Sequence, residues 1–121
     1  MLTKFGNNGD IIWSTYYGGE LDDLGQGITL DPDNNIVITG FTFSDTDIAT
    51  AGAEQPMNNG AGDGFVAKFN NDGQLLWATY TGGNELDFCN DIATDMAGNV
   101  YAIGWSSSST VMGAMGTHQP L

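Results

Sequence analysis

Chemistry in this sequence would have to come from carboxylates, because little else with a reactive side chain is present. Asp31-x-Asp33-x-Asn35 sets oxygen donors at alternate positions, as the opening of a calcium loop does, since Ca²⁺ takes roughly six to eight oxygen ligands. The pattern stays incomplete: Thr42 stands where the last position of such a loop asks for a bidentate Glu, and a second copy of the motif keeps only Asp95 and Asn99. Asp and Asn side chains also bond their own backbone in tight turns, and that reading competes with Ca²⁺ at Asp31, Asp33 and Asn35. Glu20, Asp22 and Glu85 crowd Gly-rich stretches and would attract cations to one surface.

The remaining candidates are single residues. His118 has no second His and no Cys near it in sequence, so no zinc constellation forms, and no suitably placed nucleophile completes a triad. Cys89 reads as a small buried side chain. Trp105 is the best single aromatic for a ligand surface, whereas Trp13 and Trp77 repeat at one position and read as core, with stacking on a sugar as the competing reading. The candidate ligand-binding set is therefore Trp105, Glu20, Asp22, Glu85 and His118. Carboxylates are too abundant here for a pair of them to argue glycosidase chemistry. No cofactor is expected beyond the Ca²⁺ candidate.

The totals exclude several partners. Among 121 residues, 15 are acidic and only Lys4 and Lys68 are basic, a formal charge of −13 that repels nucleic-acid phosphates and anionic lipid. No apolar run is long enough to span a membrane, and residues 1–5 lack the apolar stretch of a signal peptide, so a signal for export would lie outside this chain. One cysteine rules out an internal disulfide framework and leaves the redox compartment open. The 18 glycines predict many tight turns and short strands.

The elements that must position these residues come from a repeat. A shift of 64 residues carries Lys4-Phe5 onto Lys68-Phe69 without a gap. The same shift carries Trp13 onto Trp77, Gly18-Gly19 onto Gly82-Gly83, Asp23 onto Asp87, Asp31 onto Asp95 and Gly40 onto Gly104. The chain thus divides into units 1–64 and 65–121 of one domain. Each unit holds four short apolar or alternating runs without helical spacing, which in the first full set are 25–30, 36–41, 65–69 and 75–80. Tight turns at 31–35 and 70–73 link them in pairs, and residues 42–64 form one long Gly- and Ala-rich connection. Four antiparallel strands per repeat is the unit of a β-propeller blade.

The ordered series Lys-Phe, Asn-x-x-Gly, Trp-x-Thr-Tyr, Gly-Gly, Gly-Ile-x-x-Asp, Asn-Ile-x-Ile-Thr-Gly and Gly-Ala-x-Gln-Pro resembles the bacterial SBBP family, whose name stands for seven-bladed beta-propeller. The resemblance covers essentially the whole chain. It implies a repeat of exported or cell-surface bacterial proteins, usually one module of a larger chain, with no catalytic residue to carry over. The second unit departs where Cys89-Asn90-Asp91-Ile92 replaces Gly25-Gln26-Gly27-Ile28.

Small residues at Gly25, Gly27, Cys89 and Ala93 place the axial strand first in each blade. The expected fold is therefore all-β: one whole blade at about 24–81, the two outer strands of a preceding blade in 1–16, and the two inner strands of a following blade in 89–105. The unlike halves complement each other, so a closed homo-oligomer, a trimer or tetramer joined by strand pairing of chain ends, is the expected assembly if no longer chain completes the ring. Asp23 and Asp87 are expected to take backbone N–H groups at the turn into the inner strand, with Glu20, Asp22 and Glu85 around one mouth of the channel. The functional expectation is a non-catalytic structural or interaction module with a glycan or protein ligand on the long-loop face, extracellular or at the bacterial cell surface. The alternative is a carbohydrate-binding, lectin-like propeller. Neither nucleic acid nor membrane insertion is expected.

Overall fold

The hairpins begin at their turns. Asp31 Oδ1 accepts the N–H groups of Asp33 and Asn35, both at 2.9 Å, and Asp95 Oδ1 repeats the arrangement with Ala97 and Asn99. Asn70 Oδ1 does the same with Asp72 and Gln74. Each turn places one residue in the left-handed region: Asn34 (φ 62°) and its counterpart Gly98 (φ 84°), and Gly73 (φ 84°) with its counterpart Gly9 (φ 92°). Gly and Asn adopt that conformation at least cost, which explains why Asn34 can give way to Gly98.

The computed structural model describes residues 1–109, and within them the chain is all strand and loop. The strands are β1 Leu2–Phe5, β2 Ile11–Thr15, β3 Asp23–Leu30, β4 Ile36–Thr42, β5 Asp63–Phe69, β6 Leu75–Thr81, β7 Asp87–Thr94 and β8 Val100–Ser106. β3, β4, β5 and β6 form one antiparallel four-stranded sheet in chain order, while β1 with β2 and β7 with β8 form two-stranded sheets. This is the whole blade flanked by an outer half and an inner half. β3 and β5 start two residues earlier than the apolar pattern predicts, because Asp23 and Asp63 both pair with Thr42 across the sheet.

Irregularities repeat with the sequence. A bulge between Gly25 and Gly27 on β3 recurs between Cys89 and Asp91 on β7, and one at Leu76 on β6, opposite Lys68 and Phe69, recurs at Ile12 on β2, opposite Lys4 and Phe5. Bulges bend and twist a strand locally, as a blade requires. A Cβ at Gly40 would collide with the Leu24 carbonyl beside the β3 bulge, and one at Gly104 with that of Phe88.

Strand alternation gives the blade two apolar faces. On one, Ile36, Phe65, Ala67, Phe69, Ala78 and Tyr80 pack with Leu2 of the preceding half blade and with Ile48 of the long connection. On the other, Val37 and Val66 meet Ile92 of β7. The long connection, read from sequence as a plain loop, folds back along the outer edge of the blade. Thr50 and Gln55 donate to and accept from the backbone of Ala78 and Tyr80, and Tyr80 Oη donates to the Ser44 carbonyl at 2.9 Å. That cover satisfies the edge of β6 that would otherwise stand open.

Candidate functional site

The connections that enter the inner strands are built on carboxylates. Asp23 Oδ2 accepts the Gly19 N–H at 2.8 Å, and its carboxylate also takes the hydroxyls of Thr42 and Ser44. Asp87 Oδ2 accepts the Gly83 N–H at 2.8 Å and the Ser108 hydroxyl at 2.7 Å. Each aspartate thus ties a Gly-Gly turn to the segment leaving the second strand. Gly18 and Gly82 are the residues against which carboxylates press: a Cβ on Gly18 would strike Asp23, and one on Gly82 would strike Asp63.

Asp63 is fully buried at the start of β5, and no sequence signal singled it out. Its Oδ2 accepts the Asn59 N–H at 3.0 Å and Gln55 Nε2, while Oδ1 has no hydrogen-bond partner. Oδ1 of Asp87 is buried in the same condition. The two belong to one junction, since the Asp87 N–H donates to the Gly62 carbonyl at 2.9 Å. Burial raises the Asp63 carboxyl above the usual range against its two hydrogen bonds, and the charge of Asp87 adds to the rise. The equivalents of Asp63 fall outside residues 1–121, so repetition could not flag it.

The predicted cation residues divide. Glu20 is held by the Thr46 hydroxyl at 2.6 Å and the backbone N–H groups of Asp45 and Thr46, bonds that lower its carboxyl to about 2. Asp22 and Glu85 are exposed, with their backbones bonded to Phe43 and Ser108 respectively. Asp31 is buried, and Lys68 Nζ sits 2.6 Å from its Oδ2, which also takes Asn35 Nδ2. The ammonium, chiefly, holds that carboxyl well below the usual range. A metal ion on Asp31 would have to displace Lys68. Asp33 is exposed and gives its N–H to Asp31, as does Asn35. Among the described residues no three His, Cys, Asp or Glu side chains group as metal ligands.

Trp105 is half exposed at 52% and stacks on Phe88 with ring centroids 5.5 Å apart. Phe88 meets Phe41 edge-on at 4.4 Å, and Phe41 meets Phe43 at 5.8 Å, so an aromatic row runs across the blade junction. A cleft of about 140 Å³ opens beside Trp105, lined also by Thr81, Asp87, Cys89 and Gly104. Burial pushes the Cys89 thiol up, which makes it a poor nucleophile. His118 lies outside the described residues.

At the tight-turn end, Asn71 gathers contacts from three segments. Lys4 Nζ donates to its Oδ1, Trp13 Nε1 donates to its carbonyl at 2.9 Å, and its own Nδ2 donates to the Asn34 carbonyl at 2.8 Å. One turn of the whole blade is thereby clasped by the preceding half blade.

Comparison with known proteins places this geometry. The SBBP family, described as a beta-propeller repeat, matches residues 12–45 and 76–109. An uncharacterized WD repeat-containing protein of Acanthamoeba polyphaga mimivirus is 28% identical over 107 residues, which is 85% of this chain. The chain spans 8% of the length of that relative.

Proposed function

The chain belongs to the SBBP β-propeller repeat family, and from that premise we propose that it is a non-catalytic structural and interaction module whose half blades are completed by neighbouring repeats. One observation carries the reading: large apolar side chains stand exposed on β3, the first strand of the whole blade, and on β8 of the following half blade. Ile28 and Leu30 on β3 and Tyr101, Ile103 and Trp105 on β8 are all more than half exposed, Ile103 at 68%. Apolar surface on that scale marks an interface. A hollow of about 280 Å³ between Leu2 and Ile28 lies where the inner strands of the preceding blade belong.

The engaged state of the carboxylates supports a non-catalytic role. Asp23, Asp31 and Glu20 spend their oxygens on turns and hydroxyls, leaving no activated nucleophile beside them. Ligands of such a module are glycans or proteins met by the connections around 18–22, 43–62 and 82–86, and its proposed setting is the bacterial cell surface or exterior, as the family resemblance implies.

Appending a third repeat after residue 121, with the sequence of 1–64, tests the reading. Completion of the β7–β8 blade should raise the melting temperature and reduce binding of a hydrophobic dye; no change in either would overturn it. The lectin-like alternative rests on half-exposed Trp105, and glycan-array binding abolished by Trp105→Ala would favour it.

A further inference from the structure

We propose that Asn59 is a site of spontaneous deamidation, and that its conversion to isoaspartate loosens the joint between the whole blade and the half blade that follows it. An asparagine loses its amide when the backbone nitrogen of the next residue attacks the side-chain Cγ. Glycine in that next position leaves the path open, since it has no Cβ to crowd the attack. Asn-Gly occurs twice in the chain, at Asn8-Gly9 and at Asn59-Gly60.

The structure separates the two. Asn8 sits in a hairpin turn, where its Nδ2 donates to Asp10 Oδ2 at 2.8 Å and the Gly9 N–H donates to the Gly6 carbonyl at 3.0 Å. Both reacting groups are thus held by other partners, and Gly9 is fixed at φ 92°. Asn59 is exposed and outside any strand, and among the described residues its side-chain amide makes no hydrogen bond. The Gly60 N–H donates to a side chain, Asn58 Oδ1 at 3.1 Å, in place of a turn carbonyl. A side-chain bond at the surface opens more readily than a backbone bond within a hairpin.

The step needs no reactant but water. The Gly60 nitrogen bonds to Cγ and gives its proton to solvent, the Cγ–Nδ2 bond breaks, and the amide nitrogen takes up a proton and leaves as ammonia. Water then opens the cyclic imide at one carbonyl or the other, which yields aspartate or isoaspartate. In isoaspartate the backbone runs through the side chain and is longer by one carbon.

The effect of that carbon follows from what this segment touches. The Asn59 N–H donates to Oδ2 of the buried Asp63 at 3.0 Å. A Cβ on Gly60 would come within 2.0 Å of the Glu85 carbonyl, so the backbone lies directly against the connection that enters β7. Gly62 pairs with Leu86, and its carbonyl takes the Asp87 N–H at 2.9 Å. A lengthened backbone cannot keep all of these contacts, and a new carboxylate at 59 adds negative charge to the loop that holds Asp63.

The test is to age the intact chain for weeks in warm, mildly alkaline buffer made with ¹⁸O water. Peptide mapping by mass spectrometry follows each site, with electron-transfer fragmentation to tell isoaspartate from aspartate. Asn59 should convert at least about tenfold faster than Asn8 and carry ¹⁸O in the product. The melting temperature should fall by about 4 °C as isoaspartate accumulates. Asn59→Gln, whose longer side chain closes the imide ring far more slowly, should keep its melting temperature over the same period. Fresh Asn59→Asp, which has the charge without the added carbon, should lose less than the aged protein. Absence of conversion at Asn59, or conversion of Asn8 at the same rate, would overturn the site. An unchanged melting temperature after conversion, an equal fall in aged Asn59→Gln, or an equal loss in fresh Asn59→Asp would overturn the loosening by isoaspartate.

Discussion

Asp63 at the start of β5 and Asp87 at the start of β7 lie on adjoining blades, and each buries an Oδ1 that has no hydrogen-bond partner. Two naked carboxylate oxygens at one junction are costly while both groups are charged. A proton on Asp63 would remove the charge that its burial penalises.

Stability should therefore contain a component that favours acid. Burial raises the folded-state value of Asp63, so its contribution is complete below the unfolded value of about 4 and is lost as pH rises through the folded value. Asp63→Asn removes the buried charge without a proton from solvent, and its amide oxygen can still accept from Asn59 and Gln55. The variant should be more stable than wild type by about 1–2 kcal/mol at pH 7, converging with it near pH 4. Urea midpoints lower than wild type at every pH would contradict the argument.

Asp31 and Asp95 form a natural control pair, since both cap a turn but only Asp31 holds a lysine. Asp31→Asn should lower the melting temperature more than Asp95→Asn, because it strands the Lys68 ammonium. The lowered carboxyl of Asp31 adds stability above its unfolded value, lost as pH falls through the folded one, so the gap between the variants should close in acid. A chelator should leave both proteins unchanged, as Lys68 already occupies the cation position. Equal melting temperatures at neutral pH would show that the ion pair adds nothing.

Gly40 has a different kind of partner, the backbone of the opposite strand. A methyl group there meets the Leu24 carbonyl and neighbours Gly25, atoms that cannot turn aside. Gly40→Ala should cost about 3 kcal/mol by forcing the β3 bulge to re-form. Chemical denaturation with a loss under about 0.5 kcal/mol would mean that the bulge yields easily.

What the sequence made legible is what it repeats. Turn residues, the strand order and the role of Asp23 and Asp87 all recur within residues 1–121, so each was seen twice. Asp63 was missed because both of its equivalents lie beyond the chain. The Lys68 pair was missed because Asp31 lies far away in sequence and only sheet register brings them together. The long connection, read as a loop over 42–64, gives up Thr42 to β4 and Asp63 and Gly64 to β5, and its burial of Ile48 was not visible, since a single apolar residue in a Gly- and Ala-rich segment carries no period. Glu20 looked free for cations because its partners, Asp45 and Thr46, are backbone and hydroxyl donors with no signature of their own.

Trp13 and Trp77 occupy the same position in the repeat, but among the described residues Trp13 alone of the two meets the hairpin turn of the next blade. Its Nε1 donates to the Asn71 carbonyl and its ring lies against Gly73, where a Cβ would come within 2.9 Å of it. Trp77, on β6, is 38% exposed, and the equivalent turn lies outside the chain. Trp13→Ala should therefore remove both ring packing and the hydrogen bond, at about 2–4 kcal/mol, against about 1 kcal/mol for Trp77→Ala. Trp13→Phe should fall between the two, since it keeps ring contact and orphans only the Asn71 carbonyl. The measurement is the urea midpoint for each variant at one protein concentration, so that self-association affects all alike. Equal losses for Trp13 and Trp77 would mean that both tryptophans stabilise their own hairpins, and that the clasp on Asn71 contributes nothing to holding one blade against the next.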